Sequence, residues 1–100
     1  MSRPDLVLVL RKDVRFRRMS EEGLVLVQED ARVLGVSDVG VRILELVDGV
    51  RTLRQVLDVL EAEYTVARPQ LEADVGVFVD RLLEAGVVRE APVAGSSGEP

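Results

Sequence analysis

The sequence predicts an α+β fold, a three-stranded antiparallel sheet followed by three helices. Three observations predict it. Apolar residues alternate or run in short blocks before Ser37 and recur at helical spacing after it. Polar and Gly-containing clusters cut the front half into segments of strand length, and short connections make sequential strands pair as an antiparallel meander. Helix start and stop signals punctuate the back half, among them Thr52 with Gln55, Pro69 and Gly86.

Leu6 to Leu10 is wholly apolar and is closed by Arg11-Lys12. Its five residues are too few for a signal-peptide core or a membrane span. Val14-Arg15-Phe16-Arg17 alternates apolar and basic residues, the period of a half-buried strand. Ser20 to Gly23 is a turn cluster. Leu24 to Val27 is continuously apolar, which suits a strand covered on both faces. Gln28-Glu29-Asp30 is a polar loop tip, and Ala31 to Val36 is the third strand.

Ser37 or Asp38 caps the first helix, in which Val39, Ile43, Leu44, Leu46 and Val47 recur at helical spacing. Asp48-Gly49 ends it, with glycine supplying a left-handed stop. Thr52 and Gln55 form a capping-box pattern for the second helix, which carries Leu53, Val56, Leu57 and Leu60 on one face and runs to about Tyr64. Only Asp48 to Arg51 separate the two helices, the spacing of a helix-turn-helix. After a linker from Thr65 to Arg68, Pro69 opens a third helix. Leu71, Val75, Phe78, Leu82 and Ala85 share one face of it, with Val79 at the edge. Gly86 stops this helix, and Val87-Val88-Arg89 adds a short wing strand. Pro92 to Pro100 is small, polar and rich in Gly, Ser and Pro, and reads as a disordered tail. The whole is winged-helix-turn-helix-like. It divides into residues 1–13 as an N-terminal extension or extra strand, 14–90 as the folded domain, and 91–100 as the tail.

Composition narrows the chemistry. Apolar residues are 47% of the chain and aromatics 3%, so the core is aliphatic, built mostly from twenty Val and fourteen Leu. The chain has no Cys and no His. Disulfides, thiolate nucleophiles, Cys/His metal sites and imidazole acid–base catalysis are therefore excluded. With no transmembrane or lipidation signal, the expected compartment is the cytoplasm. Net charge is −5 but uneven: residues 1–18 carry six basic and two acidic groups, and residues 19–100 seven basic and sixteen acidic groups. An acidic body binds a phosphate backbone poorly.

The basic group Arg11, Lys12, Arg15, Arg17 and Arg18 reads as a solvated strand face, with no interleaved aromatics to stack bases. Glu61, Glu63, Glu72, Asp74, Asp80 and Glu84 lie mostly opposite the apolar stripes, as charges on a helix surface do. The serines have no His to activate them, and the glycines form no phosphate-binding pattern. The sequence thus argues against catalysis, metal and cofactor. One positive feature is left. The strand Ala31 to Val36 offers a sheet edge with few charges, where an extended peptide can add as a further strand, with the third helix as the apolar wall of a groove.

An ordered set of residues resembles the PqqD-like family. It comprises Val36-Ser37-Asp38-Val39-Gly40-Val41-Arg42-Ile43-Leu44, Asp48-Gly49-Val50-Arg51-Thr52-Leu53, Leu57 to Tyr64, Asp74-Val75, Phe78-Val79, Leu82 and Gly86-Val87-Val88. The resemblance runs from about Val14 to Arg89. This chain departs from the family pattern at Val36-Ser37, where Leu-Asn is common, and Ser37 still serves as a cap.

The resemblance implies a recognition element for ribosomally made precursor peptides, a small winged-helix-like module without enzymatic activity. Such a module binds the leader segment of the precursor and presents it to a modifying enzyme, such as a radical SAM enzyme or a lasso-peptide protease. Carried onto this chain, Arg32, Val33, Leu34 and Gly35 offer backbone pairing and the floor of the groove, and Asp74, Val75, Phe78, Val79 and Arg81 belong to the helix wall. Val75 and Phe78 also lie on the core stripe. Asp74 and Arg81 either fix leader charges or are ordinary helix surface. The acidic helical body suits a leader with some positive charge. The expected partners are the leader peptide and its enzyme, with no nucleic acid and no membrane. A winged-helix nucleic-acid-binding regulator is the alternative, opposed by a third helix on which Glu72, Asp74, Asp80 and Glu84 outnumber Arg81.

Overall fold

Two small sheets and three helices enclose one aliphatic core in a computed structural model that describes residues 5–91. In chain order the elements are β1 (Val7–Leu10), β2 (Val14–Met19), β3 (Glu22–Val27), a 3-10 turn (Gln28–Asp30), β4 (Arg32–Ser37), α1 (Asp38–Leu46), β5 (Asp48–Thr52), α2 (Leu53–Glu63), α3 (Arg68–Glu84) and β6 (Val88–Glu90). The three expected strands are present as the antiparallel sheet β2-β3-β4, and the three expected helices follow.

The second sheet, in the order β5-β1-β6, is not foreseen by the sequence reading. The Leu6–Leu10 run supplies its central strand, and Leu8 is only 1% exposed within the same core as the helices. Residues between the first two helices are consequently a strand and not a helix-turn-helix corner. β5 pairs antiparallel with β1 through Val7–Thr52 and Val9–Asp48, with a register shift between them. Gly49, with φ +80, serves this bulged strand, whereas α1 already ends at Leu46 and is capped by Val47 in a non-left-handed conformation. β6 likewise pairs with β1 and is not a wing on the first sheet. An apolar strand buried at the centre of a sheet needs a partner on each side, and both partners of β1, β5 and β6, are distant from it in sequence.

Local signals hold where they are local. Thr52 Oγ1 accepts from Gln55 N at 3.2 Å while Gln55 Oε1 accepts from Thr52 N at 2.9 Å, a complete capping box. Pro69 lies in the first turn of α3. At its other end Gly86 takes φ +75, Gly86 N donates to Leu83 O and Val87 N donates to Leu82 O, the paired bonds of a Schellman stop.

β3 departs from its expected environment. Val25 and Val27 are buried, but Leu24 and Leu26 are exposed, so only one face of the β2-β3-β4 sheet is covered. That face packs on α1: a Cβ at Gly23 would stand 2.2 Å from Val41 Cγ2, so glycine is what lets helix and sheet meet there. The expected tail, Pro92 to Pro100, lies outside the described residues.

Candidate functional site

Among the described residues β4 is an edge strand, hydrogen-bonded only to β3. Every second residue of an antiparallel edge directs its N–H and C=O away from its neighbour. α3 lies alongside this edge and runs in the opposite direction. The start of β4 meets the C-terminal end of α3, where Arg32 donates to the Ala85 carbonyl. The far end of β4 meets the middle of α3, where Val36 and Gly40 approach the Phe78 ring.

At the end of β4, between α1 and α3, opens a groove of about 460 Å³, and Ser37 is the one β4 residue that lines it. α3 contributes Leu71, Asp74, Val75, Val77, Phe78 and Arg81 to its lining, and the strand-to-helix corner contributes Ser37, Val39, Gly40 and Ile43, with Val66 from the segment before α3. The corner is fixed locally. Ser37 Oγ accepts from Gly40 N at 3.1 Å, satisfying one of the free amides of the first turn of α1. Gly40 has no Cβ, and one placed there would be 2.9 Å from Phe78 Cζ, so the ring lies over the first turn of α1 only because residue 40 is glycine.

Charged groups brace the corner from behind. The Tyr64 hydroxyl donates to Asp38 Oδ2 at 3.0 Å, joining the end of α2 to the start of α1, and Arg18 of β2 pairs with the same carboxylate. Burial, and then the bond to Asp38, hold the Tyr64 phenol above its ordinary pKa. Arg42 grips Glu63 through two 2.8 Å bonds and Glu45 through one of 3.1 Å. The bonds to Glu63 hold its carboxyl below the usual carboxylate range. On the other side, Arg68 reaches Asp58, Glu61 and Glu72, locking α3 against α2.

The sequence-chosen residues fall into groups. Asp74, Phe78 and Arg81 lie together on the groove side of α3, and Val75 lines the groove from a buried position. Val79 is buried in the core and does not line it. Val33 and Gly35 are exposed on the outer face of β4, and Leu34 is half-buried toward the core; with Arg32 they do not line the groove, so the expected floor of Arg32 to Gly35 is not part of it. The side chain of Arg32 is engaged as a clasp: Asp30 lies 2.6 Å from Nε, and the guanidinium also reaches the last turn of α3, where a cation complements the carbonyl end of the helix. The sequence reading missed Ser37, Val39, Gly40, Ile43, Val66, Leu71 and Val77 as groove residues. The available signal was Gly40 itself, a poor helix former inside a first turn.

Among the described residues, no group of three or more carboxylates could hold a metal ion. Nor is any helix there long and apolar enough to cross a membrane. The groove offers apolar contact from α1 and α3, with Asp74 and Arg81 as charged groups in its lining.

Comparison with known proteins decides the lineage. The family model for coenzyme PQQ synthesis protein D (PqqD) matches residues 22–88. The chain belongs to the PqqD family. A relative from Rhodopseudomonas palustris strain HaA2, a PqqA binding protein, is 34% identical over 90 residues, covering 90% of this chain and 84% of its own. The PqqA binding protein of strain BisB5 is 33% identical over 78 residues, covering 78% of this chain and 74% of its own. Among solved structures, TbiB1 in complex with the TbiA(beta) leader peptide matches with a TM-score of 0.72 and 25% identity, covering 81% of this PqqD-family chain and 94% of TbiB1.

Proposed function

We propose that this protein binds the leader segment of a ribosomally made precursor peptide as an added strand on β4 and presents it to a peptide-modifying enzyme, taking no catalytic part itself. The observation that carries the reading is the open edge of β4, which ends at the apolar groove between α1 and α3. Backbone bonds to the edge give affinity without sequence demands, and side-chain pockets beside it give selectivity. A leader side chain entering between Phe78, Leu71 and Ile43 finds apolar walls, while Asp74 and Arg81 stand on the rim for a basic and an acidic leader residue. They are seven residues apart on α3, roughly 10 Å along the helix axis at its rise per residue. The names of the relatives and the leader complex of the structural neighbour support the same role. Precursor peptides are made on ribosomes, so the carrier works in the cytoplasm. The acidic side chains on the exposed face of α3 oppose the nucleic-acid alternative, since they repel phosphates.

The test is an NMR titration with a synthetic leader peptide of the PqqA type, the ligand in the relatives' name. Saturable shifts should fall on β4, the Ser37–Gly40 corner and α3. Reversing Arg81 or Asp74 should weaken binding by up to about fivefold each, the scale of an exposed ion pair. A titration without saturable shifts on β4 and α3 overturns the reading.

A further inference from the structure

The sheet has a second open surface, facing away from the core. The register stacks Arg15, Leu26 and Val33 in one row, Arg17, Leu24 and Gly35 in the next, and Met19, Glu22 and Ser37 in the third. Side chains two residues apart along a strand share a face, so all three rows point outward together. Four of the seven large apolar side chains that are exposed among the described residues lie here: Met19 at 44%, Leu24 at 40%, Leu26 at 37% and Val33 at 60%. Scattered exposed aliphatics are ordinary, but a contiguous patch on one sheet face marks a contact surface.

The charge at its border selects the partner. Arg17 makes no ion pair among the described residues, and Arg15 donates only to the backbone carbonyls of Lys12 and Val14. These free guanidinium groups belong to a chain of net charge −5. A second copy is a poor occupant, because face-to-face association would set the arginines of both copies against Glu22 as the only carboxylate of the face. An acidic surface with an apolar centre fits both the charge and the aliphatic rows.

We propose that this outer face docks an acidic, apolar-centred surface of the enzyme that modifies the bound peptide. The inference rests on the peptide-presentation reading and extends it. A strand added to β4 continues the same sheet, so every second leader side chain joins this face beside Val33 and Gly35. Gly35 leaves open space there, with nothing within 4 Å of where its Cβ would lie. An enzyme seated on Leu24 and Leu26 therefore touches carrier and leader at once and distinguishes the loaded carrier from the empty one.

The test uses the full chain with that PqqA-type peptide and the enzyme that modifies it. Two variants are compared, Arg15→Glu/Arg17→Glu and Leu24→Gln/Leu26→Gln, the first altering only exposed side chains. Each should weaken enzyme binding by about tenfold or more while leaving leader affinity within about twofold, and wild-type enzyme binding should fall with added salt. Enzyme binding within about twofold of wild type for the arginine variant overturns the proposal. So does a wild-type dimer in sedimentation that the variants dissociate, which would give the face to a second copy. Loss of leader affinity in both variants would assign the face to the peptide and also overturn it. Failure of the wild type to bind leader at all defeats the presentation reading, an outcome separate from intact leader binding with unaltered enzyme docking.

Discussion

Replacing Gly40 with alanine sets two effects of known size against each other. Inside a helix, alanine ordinarily stabilises by about 0.5–1 kcal/mol over glycine, because glycine loses more backbone freedom on folding. Here the new Cβ would meet Phe78 Cζ at 2.9 Å, Phe78 Cε1 at 3.3 Å and Val36 Cβ at 3.2 Å. Carbon atoms rest about 3.5–4.0 Å apart, so all three contacts are compressed. Overpacking of this kind costs about 1–3 kcal/mol. The steric cost exceeds the helix gain, and Gly40→Ala should destabilise the protein by about 1 kcal/mol, roughly 4–8 °C in Tm for a chain of this size. Val36 is held in the sheet, but Phe78 borders the groove and relieves the strain by swinging into it. The same substitution should therefore reduce leader affinity severalfold. Urea unfolding of wild type, Gly40→Ala, Phe78→Leu and the double variant closes a thermodynamic cycle, and the two sites should couple by about 1 kcal/mol, since leucine removes the ring atoms that clash. The reasoning is refuted if Gly40→Ala raises stability by the ordinary helix gain, or if the coupling is below about 0.3 kcal/mol.

Other outcomes follow from the same geometry. Leu8→Ala should cost about 3 kcal/mol in urea unfolding, because a fully buried leucine leaves a cavity at the centre of the β5-β1-β6 sheet; a loss under about 1 kcal/mol would show that β1 is dispensable to the core. Thr52→Ala removes the acceptor for Gln55 N and should cost about 1 kcal/mol, read as a lower urea midpoint with an unchanged slope. Backbone amides of Arg51 and Val50 hold the Asp48 carboxyl low, as Arg42 does Glu63. Folded values lie below unfolded ones, so this stabilisation is complete above the ordinary carboxylate range and is lost as pH falls through the depressed values. Thermal midpoints should accordingly hold from neutral pH down to that range and then drop, with Glu63→Gln flattening part of the fall.

What was legible in the sequence was whatever a few neighbouring residues decide. Thr52 with Gln55, Pro69, Gly86 and the alternation of Val14 to Arg17 each carry their geometry within one or two turns or one strand. The open edge of β4 was legible for a related reason: β4 follows β3 in a meander, which leaves it at an edge unless something else arrives. Asp74, Phe78 and Arg81 were chosen through the family resemblance and not through helical spacing, and all three line the groove. Less was readable at Leu24 to Val27, where an uninterrupted apolar run suggested two covered faces and the fold covers one. Hydrophobicity reports the cost of exposure but not which neighbour removes it.

By itself, then, the sequence determined an aliphatic, Cys-free and His-free α+β chain, its helix boundaries to within a residue or two, and an edge strand beside a helix. Tertiary structure alone decided three further matters. It placed Leu6–Leu10 between β5 and β6, it set the Phe78 ring on Gly40, and it turned Leu24 and Leu26 to the outside. Each depends on contacts between segments far apart in the chain, and such contacts form only when the whole core closes, so no local pattern encodes them.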